Sequence, residues 1–198
     1  MVSHCAPRLP AATALVFLEC NDMADTAPYR IRTFGDPVLK RRAEEITDID
    51  GRVARLAEDM HATLKVANGL GLAAPQVGVG RRLFVYEIGD SGSRTIVNPV
   101  VSDFDGEWEY EEGCLSVPGL YFRITRPKHV HITGFDLDGR EVSIEAVDLE
   151  ARLYQHELDH LDGRLLLELL DDDQRKAAMR ELRQRAETNG AQRAPSEL

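Results

Sequence analysis

Residues 149–160 place Leu149, Leu153, His156 and His160 on one stripe of a helix, because successive steps of four, three and four return to the same face. Two leucines commit that stripe to an apolar interior, where an unpartnered polar group is costly. The chain must therefore build a core that receives two imidazoles and satisfies them. In HELDH, residues 156–160, the rings are four positions apart with Glu157 beside them, close enough to share an ion in the manner of a metal hydrolase. A solvated acidic helix with two histidines is the competing reading, and the leucines argue against it.

Two imidazoles leave a tetrahedral catalytic ion in need of one more protein ligand and an open position for water. The pattern HExxHxxGxxH is met at Gly163 but has Leu166 where its third histidine would stand, so that ligand is absent. The best remaining candidate is Cys114 in EEGCLSVPG, where Gly113 and Pro118 punctuate the chain and let a thiolate project from a strand edge or loop. Taken alone, Cys114 reads as a buried structural thiol.

A chain of 198 residues with 43% hydrophobic and 29% charged side chains has the composition of one globular domain, and no stretch approaches the roughly 20 apolar residues of a membrane span. The formal net charge of −10 repels phosphate backbones and anionic membrane surfaces, which argues against nucleic acid or membrane as the main partner. Cys5, Cys20 and Cys114 are an odd number, favouring a reducing compartment over a disulfide framework. Residues 1–25 make a weak secretory signal and read as an extension of little functional weight, since patterned sequence begins only after Met23.

The rest divides into few elements. A turn at Gly35, Asp36 and Pro37 precedes an apolar stripe of Ile49, Val53, Leu56, Met60 and Leu64, which predicts a helix from Ile49 to Val66. Four glycines and a proline between Asn68 and Gly80 predict a long irregular loop. Strands are expected at Leu83–Ile88, Ile96–Val101, Val130–Phe135 and Glu141–Val147, the last two joined by a tight turn at Asp138-Gly139. The histidine helix ends at Gly163, a third helix spans Asp171 to Ala186, and a disordered tail follows. His129 and His131 are expected to face solvent, with His61 and Trp108 structural. GLGLAAPQVGVG does not qualify as a phosphate loop, because it follows a helix and lacks the Lys-Ser/Thr ending.

Taken together, GLGLAAPQ at 69–76, EGCLSVP at 112–118 and QHELDHLDG at 155–163 closely resemble the three motifs of the peptide deformylase family, in that family's order. The resemblance extends from about Tyr29 to the third helix. It implies an α+β fold: antiparallel β-sheets around a central helix carrying HExxH, with an N-terminal helix and a C-terminal helix. The implied divisions are an extension at 1–25, a catalytic domain at 26–187 and a tail at 188–198.

By the same resemblance Cys114, His156 and His160 hold one divalent metal ion, Glu157 is the general acid/base, and Gln76 and the Leu115 backbone N–H donate to the oxyanion. The implied substrate is N-formyl-methionine at the start of a nascent chain at the ribosome, with formate the product. Its methionine pocket maps to Leu70, Tyr110, Glu112, Leu149 and Leu153, and Gly69, Gly71 and Gly119 offer backbone hydrogen bonds to an extended peptide. Tyr121 stands where members of the family often carry Arg, so a cationic contact to the peptide is not expected there. The ligand types by themselves suggest Zn2+, the resemblance implies Fe2+, and Ni2+ and Co2+ also suit them. The expected setting is a bacterial cytoplasm, or an organelle. The alternatives are a metallopeptidase, which would need a third His or Glu downstream, and a binding module with structural zinc, which would need a fourth protein ligand.

Overall fold

In the computed structural model, residues 27–89 and 92–192 are described, so the extension at 1–25 falls outside them. Helix α1, Gly51–Val66, begins after Asp50, whose carboxylate accepts the N–H groups of Arg52 and Val53. The Gly-rich stretch that follows is not one irregular loop. It holds strand β1, Gly71–Ala73, and a single 3-10 turn, Ala74–Val77, closed by Gly78 at φ 88°. The glycines mask a segment whose Leu72, Ala73 and Ala74 are fully buried, so tertiary pairing overrides local composition.

Strands β2, Leu83–Glu87, and β3, Ser93–Asp105, come next, followed by β4, Trp108–Cys114, and β5, Val117–Arg126. Strands β6, His129–Phe135, and β7, Glu141–Val147, complete the β structure. Five strands form an antiparallel sheet in the order β1-β2-β3-β6-β7, while β4 and β5 pair separately. The β6–β7 turn is wider than two residues. Phe135 pairs with Glu141, only Gly139 has a positive φ, and the Asp136 carboxylate accepts the N–H groups of Asp138 and Arg140.

Helix α2, Asp148–Leu161, is the histidine helix. It leads through Gly163, at φ 74°, where a Cβ would lie 2.9 Å from the backbone of Lys40 and Arg41. Helix α3, Asp172–Gln192, begins after Asp171, whose carboxylate accepts the N–H groups of Asp173 and Gln174. It runs past Ala186, so residues 188–192 are helical rather than tail; the segment lacks proline, and polarity alone does not stop a helix. Residues 193–198 lie outside the described residues.

The large sheet is covered on both faces, and β2 shows why. Phe84 and Tyr86 enter the cluster with Ala151, Leu153, Tyr154 and Leu161 of α2, whereas Leu83 and Val85 join Ala57, Met60 and Leu64 of α1. Successive side chains of a strand point to opposite faces, so a strand buried on both sides reads as continuous LFVY. A third cluster packs Val117 and Ile124 of the β4–β5 pair against Leu166, Leu167, Leu170 and Ala178. No described helix is long and apolar enough to cross a membrane.

Candidate metal centre and active site

The helical period brings His156 and His160 to one face of α2, with ring centroids 5.1 Å apart. Across from them β4 ends at Cys114, whose Sγ lies 3.2 Å from His160 Nε2. Ligand atoms of the three residues fall within 4.8 Å of one another. A tetrahedral ion bound at ordinary N and S distances separates its ligands by about 3.5 Å, so the donor set fits one transition ion with little movement. Cys114 also accepts the Ser116 N–H at 3.4 Å.

Each imidazole has a distinct environment. Burial would lower the pKa of His156, but hydrogen bonds to Cys114 and Glu112 raise it well above the usual value. Its Nδ1 lies 3.2 Å from Glu112 Oε2, which suits a proton on Nδ1, and a metal ion bound at Nε2 would take the place of the second proton. His160 is almost fully buried, and burial next to His156 and Arg126 drives its pKa well down. That direction favours the neutral imidazole, the form a metal ion would need.

Glu112 is thus not simply a wall of a methionine pocket. Arg126 grips it bidentately at 2.7 and 3.0 Å, Arg152 donates to it, and Arg126 reaches on to Asp159 at 2.8 Å. Burial would raise the Glu112 pKa, yet His156 and Arg126 outweigh it and hold the carboxyl well below its usual range. This buried cluster joins the β4–β5 pair, which carries Cys114, to the helix that carries the histidines.

Glu157 is 2% exposed and its Oε2 has no hydrogen-bond partner among the described residues. Burial pushes its pKa up to about 7, against the pull of His156, Arg126 and the Ala73 N–H. Space for this carboxylate comes from Gly71: a Cβ there would sit 2.7 Å from Leu153 Cδ1 and collide with Glu157 Oε1. Gln76 is held from two sides, its Oε1 accepting the Ala73 N–H at 2.8 Å and its Nε2 donating to Ser116 Oγ at 3.2 Å. The amide therefore presents Nε2 toward Cys114, 3.9 Å away.

One cavity is lined by Leu70, Gly71, Gln76, Tyr110, Glu112, Cys114, Leu115, Leu149, Leu153, His156 and Glu157, all named from sequence. His160 is buried beside it. Just before β1, the Leu70 carbonyl accepts the Glu87 N–H, and alternation along an antiparallel pair then turns the N–H and C=O of Gly71 away from β2. Gly69, Gly119 and Tyr121 do not line the cavity. The Gly69 N–H donates to Leu64, the Gly119 carbonyl accepts from Arg185 of α3, and Tyr121 pairs with Gly113 within the β4–β5 ladder.

Sequence reading missed Arg126, Arg152, Asp159 and Ser116. Arg152 had a signal, standing one turn before His156 on the same face of α2; Arg126 and Asp159 had none, because their pairing spans 33 residues. Elsewhere Trp108 packs on Tyr110, His61 bonds Thr95, and His129 and His131 are half-buried beside Glu145 and Asp103.

The polypeptide deformylase family model matches residues 28–176. Over 154 residues, covering 78% of this chain and 85% of its relative, the sequence is 46% identical to peptide deformylase of Acidothermus cellulolyticus. It is 47% identical over 153 residues to peptide deformylase 1 of Corynebacterium efficiens, covering 75% of this chain and 90% of that one. Among solved structures, peptide deformylase from Thermus thermophilus superposes with a TM-score of 0.74 at 43% identity, over 78% of this chain and 93% of its own. The Ehrlichia chaffeensis enzyme in complex with actinonin gives a TM-score of 0.76 at 34% identity, over 79% and 96%.

Proposed function

This chain belongs to the polypeptide deformylase family, metal-dependent hydrolases that remove the N-formyl group from nascent polypeptides, and on that premise we propose that Cys114, His156 and His160 hold its metal ion and Glu157 moves the protons. The observation that carries this assignment is the convergence of one thiol and two imidazoles within 4.8 Å beside a buried carboxylate. Such an ion, when bound, supplies a water of lowered pKa and a Lewis acid toward the formyl oxygen.

The residues supply the rest. The Glu157 carboxylate accepts the proton of the attacking water, and the fixed Gln76 amide, with the Leu115 N–H, donates to the formyl oxygen as it gains negative charge. When the carbon–nitrogen bond breaks, Glu157 returns the proton to the amine, leaving formate and a free N-terminus. Leu70, Tyr110, Leu149 and Leu153 offer an apolar wall for the first side chain, and the outward N–H and C=O of Gly71 offer an extended peptide a strand partner. Gly69, Gly119 and Tyr121 lie outside the cavity, and their assignment to later residues of the peptide rests on the motif resemblance alone.

For the ion itself we assign Fe2+, on the motif resemblance; a Cys-His-His set also suits Zn2+, Ni2+ and Co2+. The catalytic domain is placed at 26–187, supported by the family match over 28–176. From an activity on formylated nascent chains we infer a setting near ribosomes, in a bacterial cytoplasm or an organelle. Metal analysis and formate release on protein purified without oxygen test the assignment: iron bound at one per chain with formate production supports it, and full turnover by protein lacking any metal refutes it.

A further inference from the structure

The cavity contains a polar group that the proposed chemistry does not use. Arg152 is 3% exposed and lines the cavity with Leu70, Tyr110, Leu149 and Leu153. Its Nη1 donates to Glu112 and to the Ile124 carbonyl at 3.0 Å, its Nη2 donates to the Trp108 carbonyl, and its guanidinium carbon lies 4.9 Å from the centre of the Trp108 ring. Arg152 Nε has no hydrogen-bond partner among the described residues. Buried donors are rarely left unpaired, and a guanidinium can neither accept a hydrogen bond nor shed its proton. Nε is itself closed off from solvent, so an acceptor in the cavity would satisfy it once the side chains around it give way.

We propose that Arg152 is a specificity-determining residue, its Nε–H donating to an acceptor atom on the side chain of the substrate's first residue. This rests on the reading of the cavity as the pocket for that side chain. A thioether sulfur is a weak acceptor and a sulfoxide oxygen a strong one, so the substrate class extends to formylated peptides whose first methionine has been oxidised to the sulfoxide. Norleucine matches methionine in length and apolar character but has a methylene in place of sulfur and cannot accept. Glu112 already balances the guanidinium charge, so the preference is for a neutral acceptor rather than an anion.

The test uses three formylated tripeptides that differ only in the first residue, methionine, methionine sulfoxide or norleucine, and the metal-loaded full-length protein with its Arg152→Lys and Arg152→Met variants. Lysine keeps a cation near Glu112 but puts a methylene where Nε–H stood; methionine removes charge and donor together. Ratios of kcat/KM are taken within each preparation, so differences in folded fraction or metal occupancy cancel. The wild type should favour methionine over norleucine by roughly three- to tenfold, the scale of one hydrogen bond. It should also turn over the sulfoxide peptide at least as well as the norleucine one. In both variants the methionine preference should vanish and the sulfoxide peptide should fall at least about tenfold against norleucine. Unchanged ratios in Arg152→Lys, or rejection of the sulfoxide peptide by the wild type, would overturn the inference. Failure of the wild type to release formate from any of the three would instead count against the reading of the site.

Discussion

Glu112 Oε2 lies 3.2 Å from His156 Nδ1, so a carboxylate on a strand sets the orientation of an imidazole on a helix. The same carboxylate is gripped by Arg126, which also holds Asp159 one residue before His160. Two carboxylates, Glu112 and Asp159, and two buried guanidiniums, Arg126 and Arg152, thereby meet at the seam between the β4–β5 pair and α2, with the more exposed Arg164 a further partner of Asp159. Removing one member of a buried ion pair costs more than the pair contributes, because the survivor is left uncompensated.

Glu112→Gln should therefore destabilise the fold by about 3–5 kcal/mol at neutral pH. The native pKa of Glu112 is depressed, so its contribution is fully present above the unfolded value of about 4.5 and is lost as pH falls through the native one. Thermal midpoints of both proteins measured from pH 7 downward should converge in acid. A gap that stays constant to strongly acidic pH would show that the Glu112 charge is not what stabilises.

Glu157→Gln keeps the size of the side chain and removes the base. Turnover should fall by at least about 10²-fold while metal per chain is unchanged. Cys114→Ala, His156→Ala and His160→Ala should each lower metal content as well as rate. Elemental analysis beside formate release separates the two classes, and loss of metal from Glu157→Gln would contradict the role given to that residue.

Gly71→Ala tests the space made for the carboxylate. The added methyl must displace either Glu157 or Leu153, and a shift near 1 Å at a reacting group costs on the order of 10²-fold in rate. Because Gly71 does not need a positive φ, backbone strain makes no contribution. Activity should fall far more than the thermal midpoint; near-normal turnover would place Glu157 elsewhere in the working enzyme.

Chelation should lower the thermal midpoint, since an ion that binds only the folded chain stabilises by about 2.7 kcal/mol at a hundred times its Kd. If the ion is Fe2+, activity should also decay in air as the metal or the Cys114 thiolate oxidises, and Ni2+ replacement should protect it. Midpoints with and without chelator, and a time course in air for both metal forms, check this. Air-stable activity in protein that contains iron alone would remove the oxidation argument.

What the sequence disclosed and what it hid divide along chain separation. The α2 stripe, the glycine after it and the buried β2 run are local patterns of period 3.6 or 2, and they were legible. β1 was hidden inside a Gly-rich segment because its strand character comes from pairing with Tyr86, Val85 and Phe84. The β4–β5 pair was hidden too, and with it the seam at Glu112. Ionic partners such as Arg126 and Asp159 leave no periodic trace, and only the folded chain brings them together.

Cys114 and His160 stand 46 positions apart, and the ladder that ends at Cys114 is completed only by residues that follow it. A growing chain therefore passes through a long stage in which these three donors cannot be gathered, so an ion held by all three, as proposed, would be acquired late. Where the ion is the scarcer supply, the number of loaded molecules would follow the available metal rather than the amount of newly folded chain.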